Sequence, residues 1–169
     1  MFCIDGGFVC NSAFRYEGRV RDAIKNFKFS NVKRGAQVFD VWLSKVKNYS
    51  GKINCVCSVP MFENRQKERG YNQSEVLARS LAQILGLPFE NVIKKTRDNL
   101  SQRGLGSDER KENVHDVFSV SSCVKGKSVL LVDDVVTTGA TLFECLSLLC
   151  LAGAKAAEGL TLANVKLSK

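Results

Sequence analysis

The sequence predicts an α/β fold, a mostly parallel sheet flanked by helices, built as one domain over residues 1–169. Three observations predict it. Strand-like runs alternate with helix-like runs along the chain. One run, Val129-Leu130-Leu131-Val132, is apolar at every position, as a strand covered on both faces must be. Two polar stretches, residues 61–71 and 97–113, fall between elements, where loops tend to carry function.

The elements follow in chain order. Tyr16 to Phe29 places Val20, Ala23, Ile24 and Phe27 at helical spacing with Arg and Lys opposite, which predicts an amphipathic helix. Val38 to Tyr49 predicts a second helix, with Val38, Val41, Trp42 and Val46 inward and Gly51 ending it. Ile53 to Val59 predicts a short buried strand that stops at Pro60. Residues 61–71 are charged without apolar periodicity and predict an exposed loop. Asn72 followed by Glu75 predicts a helix start of the capping-box kind. Val76, Leu77, Leu81, Ile84 and Leu85 form its stripe, and Gly86 with Pro88 stops it. Asn91 to Thr96, Val117 to Val120, Ser128 to Val132 and Ala156 to Ala163 predict strands. Thr138 to Leu151 predicts a helix closed by Gly153.

Composition bounds the function. With 44% hydrophobic residues the chain buries a core, which excludes wholesale disorder. No apolar run approaches the roughly 20 residues of a membrane helix. The amino end lacks the basic-then-apolar pattern of an export signal, so a cytoplasmic protein is expected. The net charge of +8 is uneven: residues 1–112 hold 20 Lys+Arg and 12 Asp+Glu, and residues 113–169 hold five of each. A nucleic-acid face and a set of loops around a small polyanion both fit that excess. Seven cysteines stand at 3, 10, 55, 57, 123, 145 and 150 without zinc-knuckle spacing. Cys55, Cys57, Cys145 and Cys150 read as small buried hydrophobes, and His115 as ordinary loop chemistry.

The sharpest chemistry lies in residues 129–141. A buried strand delivers Asp133 and Asp134 at its carboxyl end, and Thr137-Thr138-Gly139-Ala140-Thr141 turns straight into a helix. Free N–H groups at a helix start, with small hydroxyl side chains, make a cradle for a phosphate. Two carboxylates beside it would repel that phosphate and are suited instead to the vicinal hydroxyls of a sugar. Cradle and acid pair together point to a ribose 5-phosphate. Gly126-Lys127-Ser128 mimics the end of a P-loop, but Ser121 occupies the required upstream glycine position and a strand follows.

Residues 129–141 resemble the phosphoribosyl-pyrophosphate (PRPP) motif of type I phosphoribosyltransferases. Val59-Pro60, Arg69-Gly70-Tyr71-Asn72-Gln73-Ser74 with Leu77-Ala78, then Gln102 to Leu105, Glu109-Arg110, Asn113 and Phe118 resemble the ComF/GntX-type, competence-associated branch of that family. The resemblance implies a parallel sheet flanked by helices with a small hood over the site. It implies that Asp133 and Asp134 bind the ribose hydroxyls and that Thr137, Thr138, Gly139, Ala140 and Thr141 hold the 5-phosphate. Ser58, Val59, Pro60 and Met61 would form the pyrophosphate loop. Residues 62–72 would be a mobile loop, with Arg65, Lys67 and Arg69 stabilising leaving-group charge and Arg69 joining Asp133 and Asp134 as catalytic. Mg²⁺ would accompany PRPP, and the reaction would transfer ribose 5-phosphate with release of pyrophosphate. Thr137 stands where guanine and hypoxanthine transferases carry an Asp, which disfavours that subclass and leaves the orotate, adenine and glutamine-linked branches open. Single-stranded DNA or competence proteins are the further partners implied, through a non-catalytic PRPP sensor. The family's amino-terminal zinc module is reduced here to Cys3 and Cys10, absent or truncated, so no zinc site is expected.

Overall fold

The computed structural model describes residues 2–3, 7–29, 53–96 and 117–165. The second helix expected at Val38 to Tyr49 lies outside the described residues, as do Gly51, residues 97–113 and His115. The elements are β1 (Phe2–Cys3), β2 (Val9–Arg15), α1 (Gly18–Phe29), β3 (Cys55–Ser58), α2 (Glu63–Arg69), α3 (Gln73–Leu85), β4 (Ile93–Lys95), β5 (Phe118–Val120), β6 (Ser128–Val136), α4 (Ala140–Leu151) and β7 (Ala156–Asn164).

Five strands form one sheet in the order β1-β2-β7-β6-β3. The short β1 runs antiparallel to β2, and the other pairings are parallel. This is the parallel sheet flanked by helices that the sequence predicts. A separate antiparallel pair joins β4 to β5. Among the described residues, no helix is long and apolar enough to cross a membrane.

The apolar run of β6 is divided between two cores by the period of the strand. Val129 and Leu131 pack with Leu142, Cys145, Leu146 and Leu149 of α4. Leu130 and Val132 pack on the other side with Ile24 and Phe27 of α1 and Leu77 and Leu81 of α3. β7 does the same, turning Ala157 toward α4 and Leu160 and Leu162 toward α1 and α3. Helices therefore cover both faces, and the fully apolar strand sits inside.

Three expectations need correction, and one strand, β2, is an addition to them. Residues 61–71 are not a loop: Glu63–Arg69 is helical, with no buried residue and a left-handed Gly70 at its end (φ 85°). Good helix formers make it, but an exposed helix has no apolar stripe for periodicity to detect. The segment 62–72, which the resemblance makes a mobile loop, thus contains a helix over Glu63–Arg69. β6 does not end at Val132 but runs to Val136, because backbone pairing with β7 continues past the acid pair to Asn164. β2, rich in Asn, Ser and Ala, shows weak strand character in sequence and is made by its pairing with β7. Cys150 is exposed at the carboxyl end of α4, whereas Cys55, Cys57 and Cys145 are buried as expected.

Gly159 on β7 permits the close approach of α4. A Cβ there would lie 2.8 Å from Leu142 Cδ2 and 3.2 Å from Cys10 Sγ, both fully buried side chains. Gly159→Ala is expected to lower stability by about 1–3 kcal/mol through overpacking, read as a lower urea midpoint at unchanged m.

The buried thiols give the fold an alkaline limit. Burial, then the charge of Asp133, pushes Cys10 up to about 12. Burial, then the charge of Glu90, pushes Cys55 up to about 11. Unfolded thiols ionise near 9, so above that pH the unfolded state alone loses these protons. The stabilisation is whole below pH 9 and falls by about 1.4 kcal/mol per pH unit per thiol until the folded thiols ionise in turn. Urea unfolding at pH 8, 9 and 10 reads this decline; a flat profile would contradict it.

Candidate active site

The carboxyl end of β3 lies beside β6, with Ser58 in register with Val132, and β6 runs four residues further to Val136. The chain leaves β3 toward α3, on the face of α1, and leaves β6 toward α4 on the opposite face. Neighbouring strands whose connections part in this way leave a crevice at their carboxyl ends, the usual ligand position in an open α/β sheet. Both motifs singled out in the sequence flank that crevice.

On the β6 side, Asp133, Val135, Val136 and residues 137–142 line a cavity of about 60 Å³. Gly139 caps α4 with φ 84° and offers no side-chain cap. Its conformation is left-handed, which explains the glycine more directly than close approach does. Thr137, Thr138, Ala140 and Thr141 are exposed around this cavity. Ala140 N–H reaches Thr138 Oγ1 at a long 3.4 Å. The start of α4 thus presents backbone donors and hydroxyls to a small concavity, the cradle the sequence implies.

The acid pair is split by the strand period. Asp133 is half-buried and borders the cavity, whereas Asp134 is buried and is not among the lining residues. Asp133 Oδ1 accepts from Ser74 Oγ at 2.7 Å and from the Asp134 backbone N–H at 2.8 Å. Its charge also helps to raise the thiols of Cys10 on β2 and Cys145 on α4, after burial in each case.

On the β3 side, Val59 N–H donates to Val132 O at 2.9 Å, which carries the strand pairing into the loop Ser58-Val59-Pro60-Met61. Asn72 then holds that loop: its Nδ2 donates to Val59 O at 3.0 Å, while its Oδ1 caps α3 by accepting from Ser74 N–H at 3.0 Å. The capping box is half-built, since Glu75 pairs with Arg79 at 2.8 Å. Tyr71 donates its hydroxyl to Phe27 O and sets its ring edge-on to Phe27, which anchors the turn to α1.

Pro60 and Met61 open onto a cleft of about 610 Å³ that reaches β4, lined by Glu63, Asn64 and Gln66 of α2 and by Lys94 and Lys95. Arg65, Lys67 and Arg69 are not among its lining residues. Arg69 donates to Gln73 Oε1 at 2.9 Å and is thereby tied to α3. The cations that share this cleft with Pro60 and Met61 are Lys94 and Lys95, which sequence reading passed over although they stand together at a strand end. Ser74 was likewise visible only as a letter of a signature; nothing in its local pattern shows that it meets a carboxylate 59 positions later. Lys127, from the P-loop mimic, is fixed to Glu90 at 2.7 Å, and that pairing raises its pKa.

The phosphoribosyl transferase domain family matches residues 72–166, more than half of the chain. The chain belongs to that family. Within it, the chain is similar to proteins of the ComF type: it is 38% identical over 98 residues to Competence protein F of Haemophilus influenzae, covering 56% of this chain and 43% of that protein. To Competence protein ComFC of Streptococcus pneumoniae it is 29% identical over 160 residues, covering 92% of this chain and 68% of that protein. The chain thus spans less than half the length of the Haemophilus relative. In fold it is similar to the glutamine PRPP amidotransferase of B. subtilis complexed with ADP and GMP, with a TM-score of 0.60 and 19% identity over 84% of this chain and 30% of that one.

Gly139→Ala places a side chain at φ 84°. It is expected to lower stability by about 1 kcal/mol, read as a lower urea midpoint.

Proposed function

We propose that the protein binds PRPP with Mg²⁺ and transfers ribose 5-phosphate to an acceptor nucleophile, releasing pyrophosphate. The observation that carries this reading is the placement of Asp133 and the α4 cradle one strand away from the Ser58–Met61 loop, across the β3–β6 crevice. A single sugar carrying phosphate at one end and pyrophosphate at the other spans that arrangement. Phosphate meets the N–H groups and hydroxyls of residues 137–141, the ribose hydroxyls donate to Asp133, and pyrophosphate lies over the loop.

In the reaction, the bond from ribose C1 to the pyrophosphate oxygen breaks and the electron pair leaves with pyrophosphate. The acceptor donates its own pair to C1 and gives up a proton. Positive charge develops on the sugar and negative charge on the leaving group, so positioning and charge stabilisation supply the catalysis. Mg²⁺ takes oxygen ligands, and the carboxylate of Asp133 at the cavity edge would be the group to hold it beside the bound sugar. When bound, it neutralises the pyrophosphate. Lys94 and Lys95 on the cleft wall support the same task, alongside Arg65, Lys67 and Arg69 on α2.

A second reading keeps PRPP binding without turnover and adds single-stranded DNA as partner. It is favoured by the competence proteins to which the chain is similar and by Arg19, Arg21 and Lys25, exposed on α1. Such binding would weaken steeply with salt, and titration of labelled single strands at two ionic strengths measures it.

Calorimetry with PRPP and Mg²⁺ tests the first reading. Wild-type protein is expected to bind and the Asp133→Asn/Asp134→Asn variant to bind at least 10-fold more weakly, since hydrogen bonds to charged acceptors contribute about 1.5–3 kcal/mol. Equal binding by the two proteins would refute it. Pyrophosphate release with a panel of nitrogenous bases and amines then separates enzyme from sensor.

A further inference from the structure

We infer that Ser74 and Asn72 are positioning residues that bind the acid pair on β6 to the pyrophosphate loop on β3, an inference resting on the PRPP reading above. The connection is an unbroken run of hydrogen bonds. Val59 O accepts from Asn72 Nδ2 at 3.0 Å, Asn72 Oδ1 accepts from Ser74 N–H at 3.0 Å, and Ser74 Oγ donates to Asp133 Oδ1 at 2.7 Å. It joins the two halves of the crevice through the first turn of α3.

Helix capping alone does not account for this arrangement. The cap uses Asn72 Oδ1 and the backbone N–H of Ser74. The amide donor of Asn72 and the hydroxyl of Ser74 remain for other work, and each goes to an opposite half of the site. Both side chains are buried, with 6% exposure each, so their hydrogen bonds are little screened by water. A hydroxyl bond to a carboxylate is also among the stronger kinds.

The consequence for Asp133 is orientational. Oδ1 already takes the backbone N–H of Asp134, and the bond from Ser74 adds a second donor from a different element. A carboxylate held at one oxygen by donors from two directions is restrained about its terminal torsion, which favours one direction for its second oxygen before any sugar arrives. Asn72 does the corresponding service for the Val59 carbonyl, fixing the loop plane through a side chain that α3 itself holds still. The part each plays differs: Ser74 serves the ribose end and Asn72 the pyrophosphate end.

Calorimetry with three probes separates these roles: PRPP with Mg²⁺, ribose 5-phosphate, and pyrophosphate with Mg²⁺. Ser74→Ala is expected to weaken PRPP and ribose 5-phosphate about tenfold while leaving pyrophosphate binding near wild type. Ser74→Thr keeps the hydroxyl and restores the affinity. Asn72→Asp keeps a capping oxygen but removes the amide donor, and is expected to weaken pyrophosphate about tenfold and ribose 5-phosphate less. Equal ribose 5-phosphate binding by Ser74→Ala and wild type would overturn the inference while leaving the PRPP reading standing. So would a uniform loss of all three probes together with a lowered melting temperature, which marks a structural role. Wild-type protein that binds none of the probes would overturn the reading itself, and this inference with it.

Discussion

The parallel pairing of β3 with β6 is the constraint from which the site follows. β3 ends beside Val132 while β6 runs on to Val136, and their helices must cover opposite faces of the sheet to bury Leu130 and Val132 on one side and Leu131 on the other. A gap between the departing chains is unavoidable, and two loops must border it. One starts a helix at a glycine and presents backbone donors; the other is held down by the side chain that starts its own helix. Ligand chemistry is thus placed by the same burial that stabilises the sheet.

Much of this was legible in the sequence, for reasons that can be stated. The apolar run at 129–132 and the stripe of α3 report burial directly, and burial is what periodicity measures. The cradle at 137–141 was legible because glycine and small hydroxyl residues at a helix start have few other uses. α2 was not, because its seven residues bury nothing and so leave no periodic trace. The extension of β6 through Asp133 and Asp134 was hidden for the converse reason: its partner is β7, and pairing across the sheet can hold acids in a strand that local preference would release. Ser74 illustrates the last limit. A contact with a residue 59 positions away is a product of topology, and no window along the chain contains both ends.

The basic excess reads differently once residues are placed. Lys94 and Lys95 line the cleft beside Pro60 and Met61, while Arg19, Arg21 and Lys25 are exposed on α1. Lys127 is committed to Glu90 and Arg79 to Glu75, the latter with its guanidinium 4.2 Å from the Phe89 ring centroid. The cations therefore divide among a cleft, a helix face and the staples of the scaffold. Net charge alone gives no address.

The position of β7 bears on how the molecule comes into being. It is the last described strand in the chain and lies between β2 and β6, its Thr161 touching Ser12 across a separation of 149 residues. During synthesis, β2 waits for its parallel neighbour until nearly all of the domain has been made. Contacts this distant in sequence slow folding, and strands left unpaired meanwhile are open to association with other chains. The acid pair shares this dependence, since Asp133 is in register with Thr161. A nascent chain can hold every residue of the site and still have no site.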